Sequence, residues 1–172
     1  AAADIGSSEY VHKILGIEYS AAPHFDLDEE VRLQQMVTGL IAQKLVVSAH
    51  DVSEGGLFIT LAESSFQREL GFDVRAGDAG MRKDAYWFGE SQSRVVVSVA
   101  AAKAAAFKAA VGGFPAVQLG IVTDGTFRVD GADWGHVAEW KDRYDHSLEN
   151  YMSRSKDLSI FGSFGKRGLG YF

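Results

Sequence analysis

The sequence of 172 residues contains no cysteine and only two prolines, and its formal net charge is −6. Without cysteine, the chain forms neither disulfides nor thiolate metal sites. The acidic balance lacks the basic excess typical of proteins that bind nucleic acid, although a local pocket for a small phosphate is compatible with it. No apolar run is long enough to span a bilayer, and no segment resembles a signal peptide. We therefore expect a cytoplasmic protein that binds neither nucleic acid nor membrane.

Three catalytic signatures are also missing. The glycines at 55 and 56 are not followed by the Gly-Lys-Ser/Thr of a phosphate-binding P-loop, and neither a His-x-x-x-His pair nor a Gly-x-Ser-x-Gly turn occurs. These absences argue against a P-loop nucleotidase, a catalytic zinc site and a serine hydrolase. For the four histidines outside the central motif, surface or helix-capping roles are predicted: His12, His24, His136 and His146.

The composition, 47% hydrophobic and 23% charged, is that of a globular domain. We expect one domain over residues 1–150, followed by a tail over 151–172 that is rich in glycine and aromatic residues. That tail is either disordered or docks its aromatic side chains on the body. The chain begins with Ala1 instead of Met, which suggests an excised fragment or a processed chain.

The first motif lies between a predicted strand and a predicted helix. Leu45–Val47 is predicted as a buried strand, and an apolar periodicity starting at Leu57 predicts a helix. Between them, Ser53, Gly55 and Gly56 are candidates for binding a phosphate, because glycines allow close approach and helix N-termini favour anions. Asp51 and Glu54 are candidate Mg²⁺ ligands. The alternative is a helix cap by Asp51 or Ser53, with Glu54 favoured by the helix dipole.

The second motif precedes the strongest strand signal of the chain, Val95–Val99. Arg94 can bind a phosphate in bidentate fashion, and nearby hydroxyl groups add donors. The candidate phosphate-binding residues of this motif are Gly89, Glu90, Ser91, Ser93 and Arg94. The alternative is a purely structural loop in which Arg94 pairs with Glu90.

The remaining pattern predicts an α+β domain. Helices are predicted at Ser7–Leu15, Asp26–Lys44, Ala101–Val111 and from Trp134 to about Tyr151, strands at Phe72–Val74 and Ala116–Val122, and a loop at Arg75–Asp84. Asp124-Gly125 predicts a turn, with Phe127–Val129 as the second arm of a hairpin. Because these elements do not follow strict strand–helix–strand units, we expect layered α/β/α architecture with a mixed sheet.

The two motifs occur in an order that resembles a known enzyme family. AHDVSEGGL at 49–57 followed by FGESQSRVVVSV at 88–99 is similar to the second half of phosphoribosylformylglycinamidine synthases. Asp4–Tyr10 resembles that family's Gly-Gly-Ser-Glu-Tyr segment, with Ser7 in place of a glycine, and Gly120–Thr123 resembles its Gly-x-Val-Thr stretch. The similarity extends from about Asp4 to about Tyr144.

The resemblance implies the fold of the C-terminal domain of aminoimidazole ribonucleotide synthetase. It also implies an ATP-dependent ligase with Mg²⁺ that converts formylglycinamide ribonucleotide, ATP and glutamine or ammonia into formylglycinamidine ribonucleotide, ADP and phosphate. The implied partners are the N-terminal domains of the parent synthetase and a glutaminase subunit or domain, with a homo-oligomer as a further possibility. Both motifs would line a cleft shared with those N-terminal domains, so we expect the chain alone to be inactive.

Two other functions are compatible with the sequence. One is a related enzyme of the aminoimidazole ribonucleotide synthetase type, although the spellings Ser-Glu-Gly-Gly and Gly-Glu-Ser-Gln-Ser-Arg favour the first family. The other is a non-catalytic nucleotide-binding or assembly module. The resemblance leaves both of the family's pseudo-equivalent clefts as alternatives for these motifs.

Overall fold

The computed structural model describes residues 5–77 and 80–154, which form six α-helices and six β-strands. The helices are α1 (Leu27–Ala42), α2 (Gly56–Phe66), α3 (Lys83–Phe88), α4 (Ala104–Val111), α5 (Val137–Asp145) and α6 (Ser147–Arg154). The strands are β1 (Ser48–Asp51), β2 (Gly71–Val74), β3 (Val95–Ser98), β4 (Gly120–Thr123), β5 (Thr126–Val129) and β6 (Ala132–His136). A π-helical turn covers Tyr10–Ile14, and a 3₁₀ turn at Ala101–Lys103 leads into α4.

The strands form two sheets. β1 and β3 make an antiparallel pair, and a four-stranded sheet has the order β4-β2-β5-β6. Within the larger sheet, β2 is antiparallel to β4 and parallel to β5. The predicted α+β class with a mixed sheet is therefore confirmed, while the division into two sheets was not anticipated.

The predicted hairpin between β4 and β5 is wrong. Although only Asp124 and Gly125 connect these strands, β2 lies between them and pairs with both. The hairpin forms instead between β5 and β6, around a second Asp-Gly pair, Asp130 (φ 54°) and Gly131 (φ 82°). Positive φ at both central residues is typical of the two-residue turns that match strand twist.

Three other sequence predictions are corrected. The strand predicted at Leu45–Val47 begins three residues later, so His50 and Asp51 belong to β1 instead of the following turn. The helix predicted from Trp134 begins only at Val137, because residues 132–136 pair with β5 as β6. The loop predicted over Arg75–Asp84 ends in a short helix, α3, that begins at Lys83.

Side-chain caps fix two helix starts. Asp26 accepts hydrogen bonds from the amides of Asp28 (2.9 Å) and Glu29 (3.0 Å), as its position before an acidic first turn predicts. The backbone bond to Glu29, the largest of several causes, lowers the pKa of Asp26. His136 Nδ1 accepts from the amide of Ala138 (3.2 Å) and caps α5, the kind of role predicted for the scattered histidines.

The core is centred on Phe58 of α2, which is 1% exposed. Its ring contacts those of Phe72, Phe127 and Trp140, at centroid distances between 5.2 and 6.4 Å. These residues come from β2, β5 and α5, so α2 is the element on which the larger sheet and α5 pack. The helix that begins at the end of the first motif is thereby packed into the core.

In the described part of the chain, no helix is both long enough and apolar enough to cross a membrane. The predicted tail begins inside α6, which crosses the boundary at residue 150, and residues 155–172 lie outside the described part. Asp4 of the N-terminal motif and residues 78–79 of the predicted loop lie outside it as well.

Candidate functional site

Pairing of β1 with β3 places the two motifs side by side. The last residue of β1, Asp51, is paired with the first residue of β3, Val95. One step further, the amide of Val52 donates to the carbonyl of Arg94 at 2.9 Å. The glycine turn (residues 52–56) and the Arg94 loop (residues 89–94) therefore leave the same end of one strand pair.

The two segments touch backbone to backbone at Gly56. A Cβ at this position would lie 2.7 Å from the carbonyl carbon of Phe88 and 2.8 Å from the carbonyl oxygen of Gly89, and φ is +72°. Only glycine combines this close approach with a left-handed conformation. The sequence prediction assigned Gly56 to a ligand; in the structure its missing side chain makes room for the Arg94 loop.

Glu90 connects three segments through one oxygen atom. Its Oε1 accepts hydrogen bonds from the amide of Gly55 and from the amide of Glu9, each at 2.8 Å. Glu9 belongs to the N-terminal segment (residues 5–10), whose Tyr10 ring stacks on Phe88 with centroids 5.0 Å apart. Glu90 thus accepts hydrogen bonds from backbone amides and does not pair with Arg94. The Arg94–Glu90 pair expected for a purely structural loop is therefore not formed.

Two residues at this site were missed from the sequence, Glu9 and Glu30. The Ser93 hydroxyl donates to Glu30 Oε2 at 2.8 Å, and Ser93 adopts φ 59°. Hydrogen bonds from Gln34 and, second, from Ser93 hold the pKa of Glu30 below its usual value. The only sequence signal at Glu30 was its place in the first turn of α1, which the helix dipole already explained.

Arg94 is a half-buried guanidinium without a carboxylate partner among the described residues. Its Nη1 donates to the carbonyl of Gly89 at 3.2 Å, and its Nη2 lies 3.5 Å from the carbonyl of Tyr86. Burial lowers the pKa of Arg94. Two carbonyl contacts use only part of the five donors of a guanidinium, so the group retains capacity for an anion.

Ser91 lies in the same loop and is 0% exposed. Among the described residues, its Oγ is the one buried side-chain oxygen or nitrogen without a hydrogen-bond partner. Because a buried hydroxyl without a partner costs free energy, such a group is usually satisfied by a ligand, a water or a moving segment. Among the buried and half-buried side chains of this loop, Ser91 and Arg94 therefore retain unused donors.

The turn itself presents fewer free donors than the sequence suggested. The amide of Gly55 is taken by Glu90, and the amide of Gly56 donates to the carbonyl of Ser53 at 3.0 Å. A phosphate at this turn would depend on later amides of α2 and on the exposed Ser53. The phosphate-binding roles of Ser53, Gly55 and Gly56 remain predictions.

The candidate Mg²⁺ ligands are exposed and lie apart from other ligands. The Asp51 side chain is 78% exposed and faces His50 Nδ1 at 3.9 Å, while Glu54 is exposed on the turn. Within residues 5–77 and 80–154, no three His, Asp or Glu side chains are grouped so as to hold a metal ion. These residues alone do not form a magnesium site, and Asp51 and Glu54 remain predicted ligands only.

Two surface cavities of the described residues lie elsewhere. One of about 370 Å³ is between α1 and α4, and one of about 470 Å³ adjoins the β2–β4 edge. Neither is lined by the glycine turn or the Arg94 loop. The two motifs thus form a wall that lies outside these two cavities.

The fold and this wall define an α+β domain in which a glycine turn packs against an arginine-containing loop. Residues 3–131 match the family described as AIR synthase related protein, C-terminal domain, and the chain belongs to that family. The family resemblance identified from the two motifs and the fold expected from it are confirmed.

Two of the curated relatives that the chain matches are the same subunit from different organisms. Subunit PurL of phosphoribosylformylglycinamidine synthase from Azorhizobium caulinodans is 35% identical over 150 residues, which are 86% of this chain and 20% of the relative. The corresponding subunit of Salinibacter ruber is 45% identical over 130 residues, 73% of this chain and 17% of the relative. The chain thus spans about a fifth of the length of these relatives.

Solved structures show the same fold. T. maritima PurL complexed with FGAR superposes with a TM-score of 0.62 at 20% identity, covering 74% of this chain and 23% of that one. T. maritima PurL complexed with ATP gives a TM-score of 0.54 at 20% identity, covering 63% and 21%.

Proposed function

We propose that this chain is the C-terminal domain of the second half of a phosphoribosylformylglycinamidine synthase. The whole enzyme would be a cytoplasmic ligase that uses ATP and ammonia from glutamine to convert formylglycinamide ribonucleotide into formylglycinamidine ribonucleotide, ADP and phosphate. The observation that carries the proposal is the backbone contact between the glycine turn and the Arg94 loop. It occurs in a chain 45% identical over 130 residues to a PurL subunit.

In this proposal the domain supplies one wall of a cleft that binds a phosphorylated ligand. Arg94 and Ser91 would bind the phosphate, because they are side chains at least half-buried in the wall that retain unused donors. Ser53, Gly55, Gly56, Gly89 and Ser93 would shape the wall around them. ATP as the nucleotide is supported by the T. maritima structure complexed with ATP.

Mg²⁺ would accompany ATP, and Asp51 and Glu54 would be the carboxylates of this domain that approach it. Since the described residues do not group three such ligands, the ion would depend on phosphate oxygens and on residues outside this domain. Its contribution when bound would be to neutralise phosphate charge.

Exposed apolar side chains support a contact with the missing parts of the synthetase. Large apolar residues are exposed in and after the π-helical turn, at Ile14, Leu15, Ile17, Tyr19, Phe25 and Leu27. Surfaces of this kind mark interaction sites. We propose that the N-terminal domains of the synthetase cover them; a glutaminase subunit or domain and a homo-oligomer are further proposed partners.

The proposal predicts that the 172-residue chain alone makes no formylglycinamidine ribonucleotide, because the opposite wall of the cleft is absent. The test is a product assay with ATP, Mg²⁺, ammonia and formylglycinamide ribonucleotide, alongside calorimetric titration of the ribonucleotide and of Mg-ADP. Product formed by the chain alone contradicts the shared cleft. Tight binding of neither ligand even in an assembled PurL favours the alternative, a non-catalytic assembly module.

A further inference from the structure

We propose that Glu90 is a positioning residue that locks the glycine turn and the N-terminal segment into the shape of the cleft wall. The sequence placed Glu90 among phosphate-binding residues, but its negative charge suits amide donors better than a phosphate. The consequence for ligand binding rests on the function proposed above. The two hydrogen bonds that Glu90 Oε1 accepts form a clamp, and this clamp can be tested without that function.

In the clamp, two amides from distant parts of the chain meet at the same oxygen atom of Glu90. Oε1 of Glu90 receives the amide of Gly55, 35 positions away in the chain, and the amide of Glu9, 81 positions away. Both distances are 2.8 Å, typical of hydrogen bonds to a charged acceptor. Loss of this one atom would leave two separate segments without their acceptor.

The clamp also replaces a cap that α2 cannot make from its own sequence. The N-cap residue is Gly55, which has no side chain and adopts φ 80°. In a capping box, a Glu or Gln at the third helical position accepts the N-cap amide. Here that position is Phe58, the buried centre of the core, so Glu90 performs this role from another loop.

Ring packing reinforces the same junction. Tyr10 stacks on Phe88 with the two planes 5° apart, and Phe88 also contacts Phe58 at 6.0 Å. The residues directly following Glu9 and preceding Gly89 are therefore held together independently. Removal of the clamp should loosen the turn and the segment without unfolding the core.

The test compares Glu90→Gln with Glu90→Asp by amide hydrogen exchange on the 172-residue chain. Gln keeps an oxygen at the position of Oε1 and loses the charge, whereas Asp keeps the charge and withdraws the oxygen by one methylene. We expect the amides of Gly55 and Glu9 to exchange within about threefold of wild type in Glu90→Gln. In Glu90→Asp we expect both to exchange about tenfold faster or more, the size of a lost bond to a charged acceptor.

Glu90→Ala extends the series, and Glu18→Ala serves as the control because Glu18 is exposed in the loop after the π-helical turn. Glu90→Ala should accelerate both amides together, and Glu18→Ala neither. Better protection in Glu90→Asp than in Glu90→Gln would overturn the proposal, because the charge would then matter more than the position of the oxygen that both amides share. This rank order stays informative even when Glu90→Ala fails to fold.

The functional arm uses a synthetase that contains this domain. A positioning role predicts that Glu90→Asp raises KM for the ribonucleotide or ATP about tenfold while kcat changes less than threefold, and that Glu90→Gln restores KM. A kcat loss shared by both variants with unchanged KM would overturn the positioning role. A wild-type protein that binds neither ligand would refute the proposed function instead, and would leave the exchange result standing.

Discussion

At the scale of single residues, the site depends on one missing side chain and on one carboxylate oxygen that accepts two hydrogen bonds. Gly56 has no side chain at the point where the Arg94 loop approaches it. One oxygen atom of Glu90 accepts hydrogen bonds from two backbone amides. Both positions fall inside the motifs found from the sequence. Their spelling marked two segments that the structure brings together, but it could not separate residues that build the wall from residues predicted to face a ligand.

The partners of Glu90 explain this limit. Glu9, Gly55 and Glu90 lie far apart in the chain, so their contact depends on the pairing of β1 with β3 and on the path of the N-terminal segment. Neither is encoded in local periodicity. Arg94, by contrast, was proposed from residue type and local context alone, because a guanidinium beside hydroxyl groups is suited to bind a phosphate.

Gly56→Ala should destabilise the domain by about 2–4 kcal/mol, because the new Cβ meets the backbone of Phe88 at a strained φ. Urea unfolding measures this change. Gly39→Ala is the matched control: nothing lies within 4 Å of its added Cβ, and helix α1 should gain up to about 1 kcal/mol. Equal stabilities of the two variants would show that the close approach at Gly56 is unimportant.

At the scale of elements, the largest sequence error is the order of strands in the sheet. Asp124 and Gly125 predict a hairpin between β4 and β5. Instead, the chain crosses at the end of β2, so that β4 and β5 pair with opposite edges of β2. The crossing is possible because Gly71 begins β2: a Cβ there would lie 2.2 Å from the carbonyl oxygen of Thr126. Helix α1, with its Asp26 cap and periodic apolar face, was predicted well, because those signals are local.

Gly71→Ala should therefore weaken the larger sheet, by about 2–3 kcal/mol in urea unfolding, since the added methyl group meets the crossing backbone. Amides of β2 and β5 should lose exchange protection together. Gly113→Ala, which adds a Cβ in open space after α4, should leave both quantities within about 0.5 kcal/mol. Loss of protection confined to β4 in Gly71→Ala would contradict the crossing.

The junction of α5 and α6 carries a small pH dependence. The Asp142 carbonyl that receives His146 Nδ1 at 3.0 Å and, second, the Asp142 carboxylate raise the pKa of His146 above 6.5. Protonation thus favours the folded junction: the contribution is complete below the unfolded pKa and is lost as pH rises through the folded value.

Asp142→Asn should lower the midpoint of His146 only in part, because the carbonyl contact remains after the carboxylate is removed. An NMR titration of the imidazole measures this midpoint. Asp133→Asn, which removes an exposed carboxylate of β6, is the control and should leave His146 unchanged. A midpoint that stays the same in Asp142→Asn would exclude the carboxylate as a cause.

At the scale of the whole molecule, the described residues form one apolar core and leave large apolar side chains exposed on the surface. The core around Phe58 packs α2 against the larger sheet and α5, whereas the wall made by the glycine turn and the Arg94 loop lies outside both surface cavities described above. Large apolar side chains remain exposed, and the chain spans about a fifth of its curated relatives. The proposed function therefore needs other domains to complete the cleft.

The most direct measurement is product formation by a chimaera. In it, the 130 matched residues of the Salinibacter ruber PurL subunit are replaced by those of this chain. The account predicts ammonia- and ATP-dependent formation of formylglycinamidine ribonucleotide, absent when the segment is deleted. Arg94→Ala in the chimaera should raise KM for a phosphate-bearing ligand at least about tenfold, whereas Arg128→Ala, an exposed arginine of β5, should not. A folded chimaera without activity, or an Arg94→Ala variant with unchanged kinetics, would contradict the central claim.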